Sequence, residues 1–330
     1  MTATLHESEE DVALRRTVAD IAERCRSTRA AEVDDHTSCW GALVRSGLTE
    51  LRGADDDGAP LATVGQVVIV VEEMARAVCG APLVGTLLAT ELQRLADVDH
   101  VVPDEALTVL LDQELRGLAA DDALAWDAGV PVTHAVGLDG ENLVVRALEG
   151  ATGSQDLSRP VAVPAGDAEL VGGTLDADAR TAFEAFAHVV LAADLLGASG
   201  AVLESAIEYA GQRVQFGQPI GTFQAVQHLC ARAHVQVEAQ RSAVLFAAWS
   251  LDSGQGDVVP AIVAKAYGAS AAVEVVEKAV QVFGGVAITW EFPAHRHLRR
   301  VLLDAEVLGN GSALSGHLFD VVEGRSDGLQ

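Results

Sequence analysis

Two short blocks in the last third of the chain combine glycine with side chains able to hold phosphate. They read RVQFGQPIGTFQAVQHL at 213–229 and QVFGGVAITWEFPAHRHLRR at 281–300. Arg213 offers a planar fork of donors that suits a pyrophosphate. Gln224 and Gln281 carry amides that can hydrogen-bond a ribose or a phosphate. Gly284 and Gly285 let backbone N–H groups approach an anion where a side chain would intervene. Together these residues suit a large phosphate-bearing cofactor. Taken singly, each has a plainer reading: Phe216 and Phe283 as core, Gly217 and Gly285 as helix stops, Arg213 as a surface cation. Three such elements in order weigh toward cofactor contact.

The elements that must position these residues are mostly helices. Apolar periodicity predicts helices over 7–32, with Ser8 and Asp11 as an N-terminal cap, and over 37–47, 63–78 and 83–96. The β-branched run in 63–78 would also suit a strand, but its length favours a helix. From 106 to 177 short apolar runs alternate with turn signals, and Asp139-Gly140 marks a hairpin. Long helices return at 179–212, 222–253, 258–283 and 297–323, which with short links predict a four-helix bundle. The expected fold is mainly α with a small β domain: an N-terminal helical domain at 1–105, a middle β domain at 106–177 and the bundle at 178–330.

Composition narrows the function. The 330 residues include 48 acidic and 22 basic side chains, a net charge of −26. Such a surface disfavours nucleic acid and anionic membranes, both of which need clustered cations. Cys25, Cys39, Cys79 and Cys230 form no CxxC pair and no zinc spacing, so four reduced thiols in a cytoplasmic protein are expected and no metal site. The N-terminal text MTATLHESEEDVALRR has no apolar signal region. The most apolar stretch, 189–203, reads as too short and too interrupted to span a bilayer.

The layout and the motifs resemble the acyl-CoA dehydrogenase family. The family's Arg-x-x-Phe-Gly block, Phe-Gln pair and Gln-x-Phe-Gly-Gly block correspond to Arg213–Gly217, Phe223-Gln224 and Gln281–Gly285, in matching order and spacing. The resemblance is strong over 180–310 and weak over the middle domain. It implies FAD as cofactor and an acyl-CoA as substrate. It also implies that Arg213, Phe216, Gln224, Gln281, Gly284 and Gly285 reach the FAD of a neighbouring subunit.

The same resemblance exposes departures. The family removes an α-proton with a glutamate as hydride passes to the flavin. Leu308 falls where most members carry that glutamate. Ala187, 26 residues before Arg213, falls at the alternative position on the first bundle helix, followed by His188. Glu306 and Glu184 lie near these positions, and with His188 they are the catalytic candidates. Each has a plainer reading, as solvated helix acids and a core histidine. The middle domain lacks the family's Thr-Glu-Pro and Trp-Ile-Thr stretches. These losses resemble the short subunits of actinobacterial α2β2 acyl-CoA dehydrogenases, heterotetramers that often act on steroid-derived CoA thioesters. Such a chain completes the FAD site of a longer homologue. The alternatives are a self-sufficient homo-oligomer with a displaced base, and a non-enzymatic acyl-CoA-binding or scaffold protein. A di-iron bundle and a Rossmann site both fail on spacing.

Overall fold

The computed structural model describes residues 8–26, 37–98, 101–102, 106–254 and 256–327. Helix α1 (Glu9–Cys25) opens with a reciprocal cap: Asp11 N–H donates to Ser8 Oγ at 3.1 Å and Ser8 N–H to Asp11 Oδ2 at 3.0 Å. The expected continuation beyond residue 26 lies outside the described residues. Val18, Ile21 and Ala22 bury the inner face of α1. Helix α2 spans Thr37–Arg45, α3 Val64–Arg76 and α4 Leu83–Leu95. The stretch after Thr63 is a helix despite its β-branched run, with Thr63 and Gln66 forming a second reciprocal cap. Asp252, from the far end of the bundle, also accepts from Val64 N–H (2.7 Å) and Gly65 N–H (2.9 Å). A carboxylate there complements the positive helix end and ties the N-terminal helices to the bundle.

Five strands close into a barrel in the order β1-β2-β5-β4-β3: β1 Leu107–Asp112, β2 Ala123–Trp126, β3 His134–Asp139, β4 Asn142–Thr152 and β5 Val161–Thr174. Parallel pairing of β1 with β3 makes the closure. Asp139 pairs with Asn142 across the expected hairpin.

The C-terminal helices are α5 (Ala177–Gln212), α6 (Gln224–Asp252), α7 (Val259–Phe283), α8 (Ala294–Glu306) and α9 (Gly311–Asp327). The single helix expected over 297–323 is two helices. Leu308 and Gly309 leave helical space at φ +54° and +104°. Leu308 N–H turns away from α8 and donates to Leu115 O at 2.7 Å. Reading the apolar stretch as too short for a bilayer also needs correction. It lies in a 36-residue helix, and α5 and the 259–288 stretch are both long and apolar enough to cross a membrane by length and composition. The apolar window of α5 is wholly buried inside the protein, so packing accounts for it. With few aromatics, this packing depends on close approach: a Cβ on Gly197 of α5 would stand 2.2 Å from Glu72 O of α3.

The expectation of four reduced thiols is also overturned. Cys25 and Cys39 form a disulfide between α1 and α2, with Cα atoms 5.4 Å apart, while Cys79 and Cys230 are free. Fourteen residues of separation carry no pairing signal; the packing of the helices brings the two together.

Where barrel and bundle meet, five charged side chains are buried together: Asp127, Arg159, Asp194, Arg300 and Asp304. Arg159 pairs with Asp127 (2.9 Å), Asp304 (3.2 Å) and Asp194, and Arg300 grips Asp194 with two nitrogens at 2.9 and 3.0 Å. Burial opposes ionisation of Asp194, but Arg159 and Arg300 outweigh it and hold this carboxyl below the usual range. Burial pushes the Asp304 carboxyl well above that range, and the Asp194 charge adds to the effect.

Candidate functional site

The residues of the three motifs gather at one end of the bundle. Arg213 caps α5, its N–H donating to Tyr209 O at 2.8 Å. The chain then makes a two-stranded ribbon, Val214–Gln215 against Gln218–Pro219. Its turn is Phe216-Gly217, at φ +54° and +79°. Two consecutive left-handed residues are what a tight hairpin of this hand requires. Gln224 opens α6 a few residues later. At the end of α7, Gly284 adopts φ +70° and ψ −147°, a region essentially reserved for glycine.

Ring packing sets the two helix ends side by side. Tyr209 of α5 lies 5.4 Å from Phe283 of α7, and Phe283 lies 4.7 Å from Phe292, centroid to centroid. Lys278 Nζ donates to Gln236 Oε1 at 2.8 Å and fixes α6 against α7. From that contact, about three turns of α6 lead back to Gln224 and a little under two turns of α7 lead on to the Gly284-Gly285 turn.

All six of these residues are exposed in the single chain: Arg213, Phe216, Gln224, Gln281, Gly284 and Gly285. Phe216 keeps 93% of its surface and Ile288, on the same end, 82%. The plainer reading of Phe216 as core is therefore wrong, whereas Phe283 is core. The Phe216 ring meets Phe223 edge-on at 6.1 Å between centroids yet stays almost wholly in solvent, and exposed apolar groups beside donors mark a contact surface. A Cβ added at Gly217, Gly284 or Gly285 would meet nothing within 4 Å, so backbone N–H groups there are approachable from outside. A guanidinium, two amides, an open diglycine and a bare ring make a donor set that fits a dinucleotide.

The base positions look different. Ala187 is fully buried. His188 is buried and its Nε2 lies 3.0 Å from Leu308 O, the N–H donating to the carbonyl. Burial pushes its pKa down to about 4, so the ring is neutral at physiological pH. Leu308 is thus held from both sides, by His188 at its carbonyl and by the β1–β2 turn at its N–H. His188, Leu308 and Glu184 line one cavity of about 340 Å³, with Arg116, Arg180 and His317 among the other walls. Glu184 stands at its rim, where surrounding atoms desolvate the carboxyl enough to raise its pKa against Arg180 and His317. Glu306 is outside the lining; it is exposed at the end of α8 and accepts from Asn310 Nδ2 at 3.0 Å.

Two residues here escape sequence reasoning. Leu115, at φ +59°, belongs to the turn that meets Leu308. Lys265, fully buried in α7, donates to the carbonyls of Asp304 (2.8 Å), Ala305 (3.0 Å) and Gly309 (3.2 Å), bracing the α8–α9 break. The visible signal was a lone lysine inside an apolar run.

A helical segment, a closed five-stranded barrel and a helical bundle with exposed donors at one end make up the fold, and its relatives are dehydrogenases. The family description "Acyl-CoA dehydrogenase, C-terminal domain" matches residues 179–313. The chain is 31% identical over 325 residues to acyl-CoA dehydrogenase IpdE2 of Mycobacterium tuberculosis, covering 91% of this chain and 93% of that one. Its fold matches a Tcur3481–Tcur3483 steroid ACAD variant, with TM-score 0.81, 24% identity and coverage of 98% and 100%. It also matches a chain of the ChsE4–ChsE5 complex of Mycobacterium tuberculosis, with TM-score 0.79, 20% identity and coverage of 97% and 99%. The chain belongs to the acyl-CoA dehydrogenase family, whose cofactor is FAD.

Proposed function

We propose that this chain is the short subunit of a cytoplasmic α2β2 acyl-CoA dehydrogenase. In this reading it completes the FAD site of a longer homologue, and the complex acts on an acyl-CoA, with a steroid-derived thioester as the favoured class. One contrast carries the reading: the Arg213–Gly285 edge is open to a partner, while the base position carries Leu308 and a His188 already engaged with the Leu308 carbonyl. Arg213 would pair with the pyrophosphate, and Gln224 and Gln281 would donate to phosphate or ribose. Gly284 and Gly285 would let backbone N–H groups reach an anion, and Phe216 would cover apolar cofactor or partner surface. When bound, FAD supplies the hydride acceptor. Removal of the α-proton then falls to the partner, because Leu308 cannot accept a proton and neutral His188 is engaged with the Leu308 carbonyl. The two-component names of the Tcur3481–Tcur3483 and ChsE4–ChsE5 structures support a partner subunit, and the word steroid in the first supports the substrate class.

Co-expression with a longer homologue tests this. A yellow complex that retains flavin through gel filtration and reduces a dye with acyl-CoA is expected, with little flavin on this chain alone. Tight FAD binding and turnover by this chain alone would overturn the reading. Glu184 favours a second one, a self-sufficient enzyme, because its raised carboxyl shares the cavity with His188 and Leu308. That reading requires activity of the isolated chain, lost in Glu184→Gln.

A further inference from the structure

Cys39 has two sulfur neighbours. It is bonded to Cys25, and its Sγ lies 3.3 Å from Cys79 Sγ. All three sulfurs lie within 4.8 Å of one another. They come from three places in the chain: the end of α1, the first half of α2, and the turn between α3 and α4. Cys39 and Cys79 are buried, whereas Cys25 is half-buried. The Cys79 turn is backbone-strained, with the preceding Val78 at φ +48°. It is held by Ala81 N–H donating to Cys79 Sγ at 3.4 Å and by Arg300 Nη1 donating to Cys79 O at 3.0 Å. None of these sulfurs belongs to the dinucleotide edge or to the base position.

We propose that Cys25, Cys39 and Cys79 form one thiol–disulfide exchange site, in which Cys39 pairs with either neighbour. The Cys79 thiol gives up its proton and its sulfur attacks Cys39 Sγ. The Cys39–Cys79 bond forms as the Cys25–Cys39 bond breaks, and Cys25 leaves as thiolate and takes up a proton. One disulfide and one thiol stand on each side, so the step needs no oxidant and no reductant. What changes is access. Before exchange the free thiol is buried Cys79; afterwards it is Cys25, which a small thiol-reactive molecule can reach. The exchange also moves the cross-link from α1–α2 to the turn that anchors Arg300 and, through it, the buried charged cluster. Burial pushes the Cys79 thiol up to about 11, so little thiolate is present near neutral pH. Exchange limited by that thiolate speeds up about tenfold per pH unit below this value.

Peptide mapping of the full chain, in a Cys230→Ser background, separates the two bridges. Cleavage after arginine places Cys25 in residues 25–26, Cys39 in 30–45 and Cys79 in 77–94. Native protein held at a series of pH values, acid-quenched and digested without reductant, is expected to yield 30–45 joined to 77–94. The rate of its appearance should carry the tenfold-per-unit dependence, and labelling of Cys25 by a maleimide should rise in step. Cys79→Ser removes both signals and keeps the Cys25–Cys39 bridge. Cys25→Ser, folded by circular dichroism and equilibrated with oxidised glutathione, is expected to hold Cys39 joined to Cys79. Wild type showing only the Cys25–Cys39 bridge at every pH overturns the proposal. So does a folded Cys25→Ser protein whose Cys39 and Cys79 both stay free.

Discussion

Raising the pH from 7 to 10.5 is expected to stabilise this protein relative to its Lys265→Met variant. Lys265 is fully buried, and burial pushes its ammonium down from 10.5 to about 8, against the weaker opposing pull of Asp304 and Glu306. Below about 8 both the folded and the unfolded chain carry the proton, and above 10.5 neither does. Between these values the unfolded chain binds the proton and the folded chain does not, so stability rises with pH across that window. The size follows from the shift: at 1.36 kcal/mol per pKa unit it is about 3 kcal/mol. The ammonium nevertheless has work below pH 8, where its three carbonyl partners fix the turn that carries Leu308. The variant keeps the volume of the side chain and loses both the charge and the brace. Urea unfolding of both proteins at half-unit pH steps gives the difference directly, and titrations common to both cancel. A difference that stays flat from pH 7 to 10.5 would refute the reasoning, as would one that falls.

Gly197→Val should destabilise the protein by about 3 kcal/mol or more, because even a bare Cβ would stand 2.2 Å from Glu72 O; a thermal melt reads this. Asp194→Ala removes the carboxylate that Arg300 grips twice and leaves buried guanidinium charge under-compensated, costing about 3–5 kcal/mol in chemical unfolding. Phe216→Ala should move the melting of the isolated chain little, within about 0.5 kcal/mol, since the ring is 93% exposed. The same change is expected to lower flavin retention in the co-expressed complex; unchanged retention would remove Phe216 from the proposed contact. Lowering the pH from 6.5 toward 4 should cost stability through His188, because the unfolded chain takes up a proton that the buried ring refuses until about pH 4. A His188→Asn variant should lose that part of the acid slope.

Much of the architecture was legible in the chain itself because it rests on local physics. Ser8 with Asp11 and Thr63 with Gln66 write their helix starts within four residues. Asp139-Gly140 writes its hairpin, and apolar spacing at helical period writes the inner face of α6, with Ala233, Val237, Val244 and Ala248 buried. The ordered arginine, glutamine and glycine motifs were equally readable, since each is short and contiguous. Tertiary structure alone decided what depends on distant partners. The break between α8 and α9 needs the Leu115 carbonyl and the Lys265 ammonium, neither of which is near Leu308 in sequence. The Cys25–Cys39 bond and the approach of Cys79 follow from how α1, α2 and the α3–α4 turn pack, which spacing does not encode. Phe216 has the composition of a core residue, and only the direction of its turn leaves it in solvent. Local preference is set by neighbours along the chain, whereas the engagement of His188 with Leu308 and the exposure of the Arg213–Gly285 edge are set by which surfaces the folded elements cover.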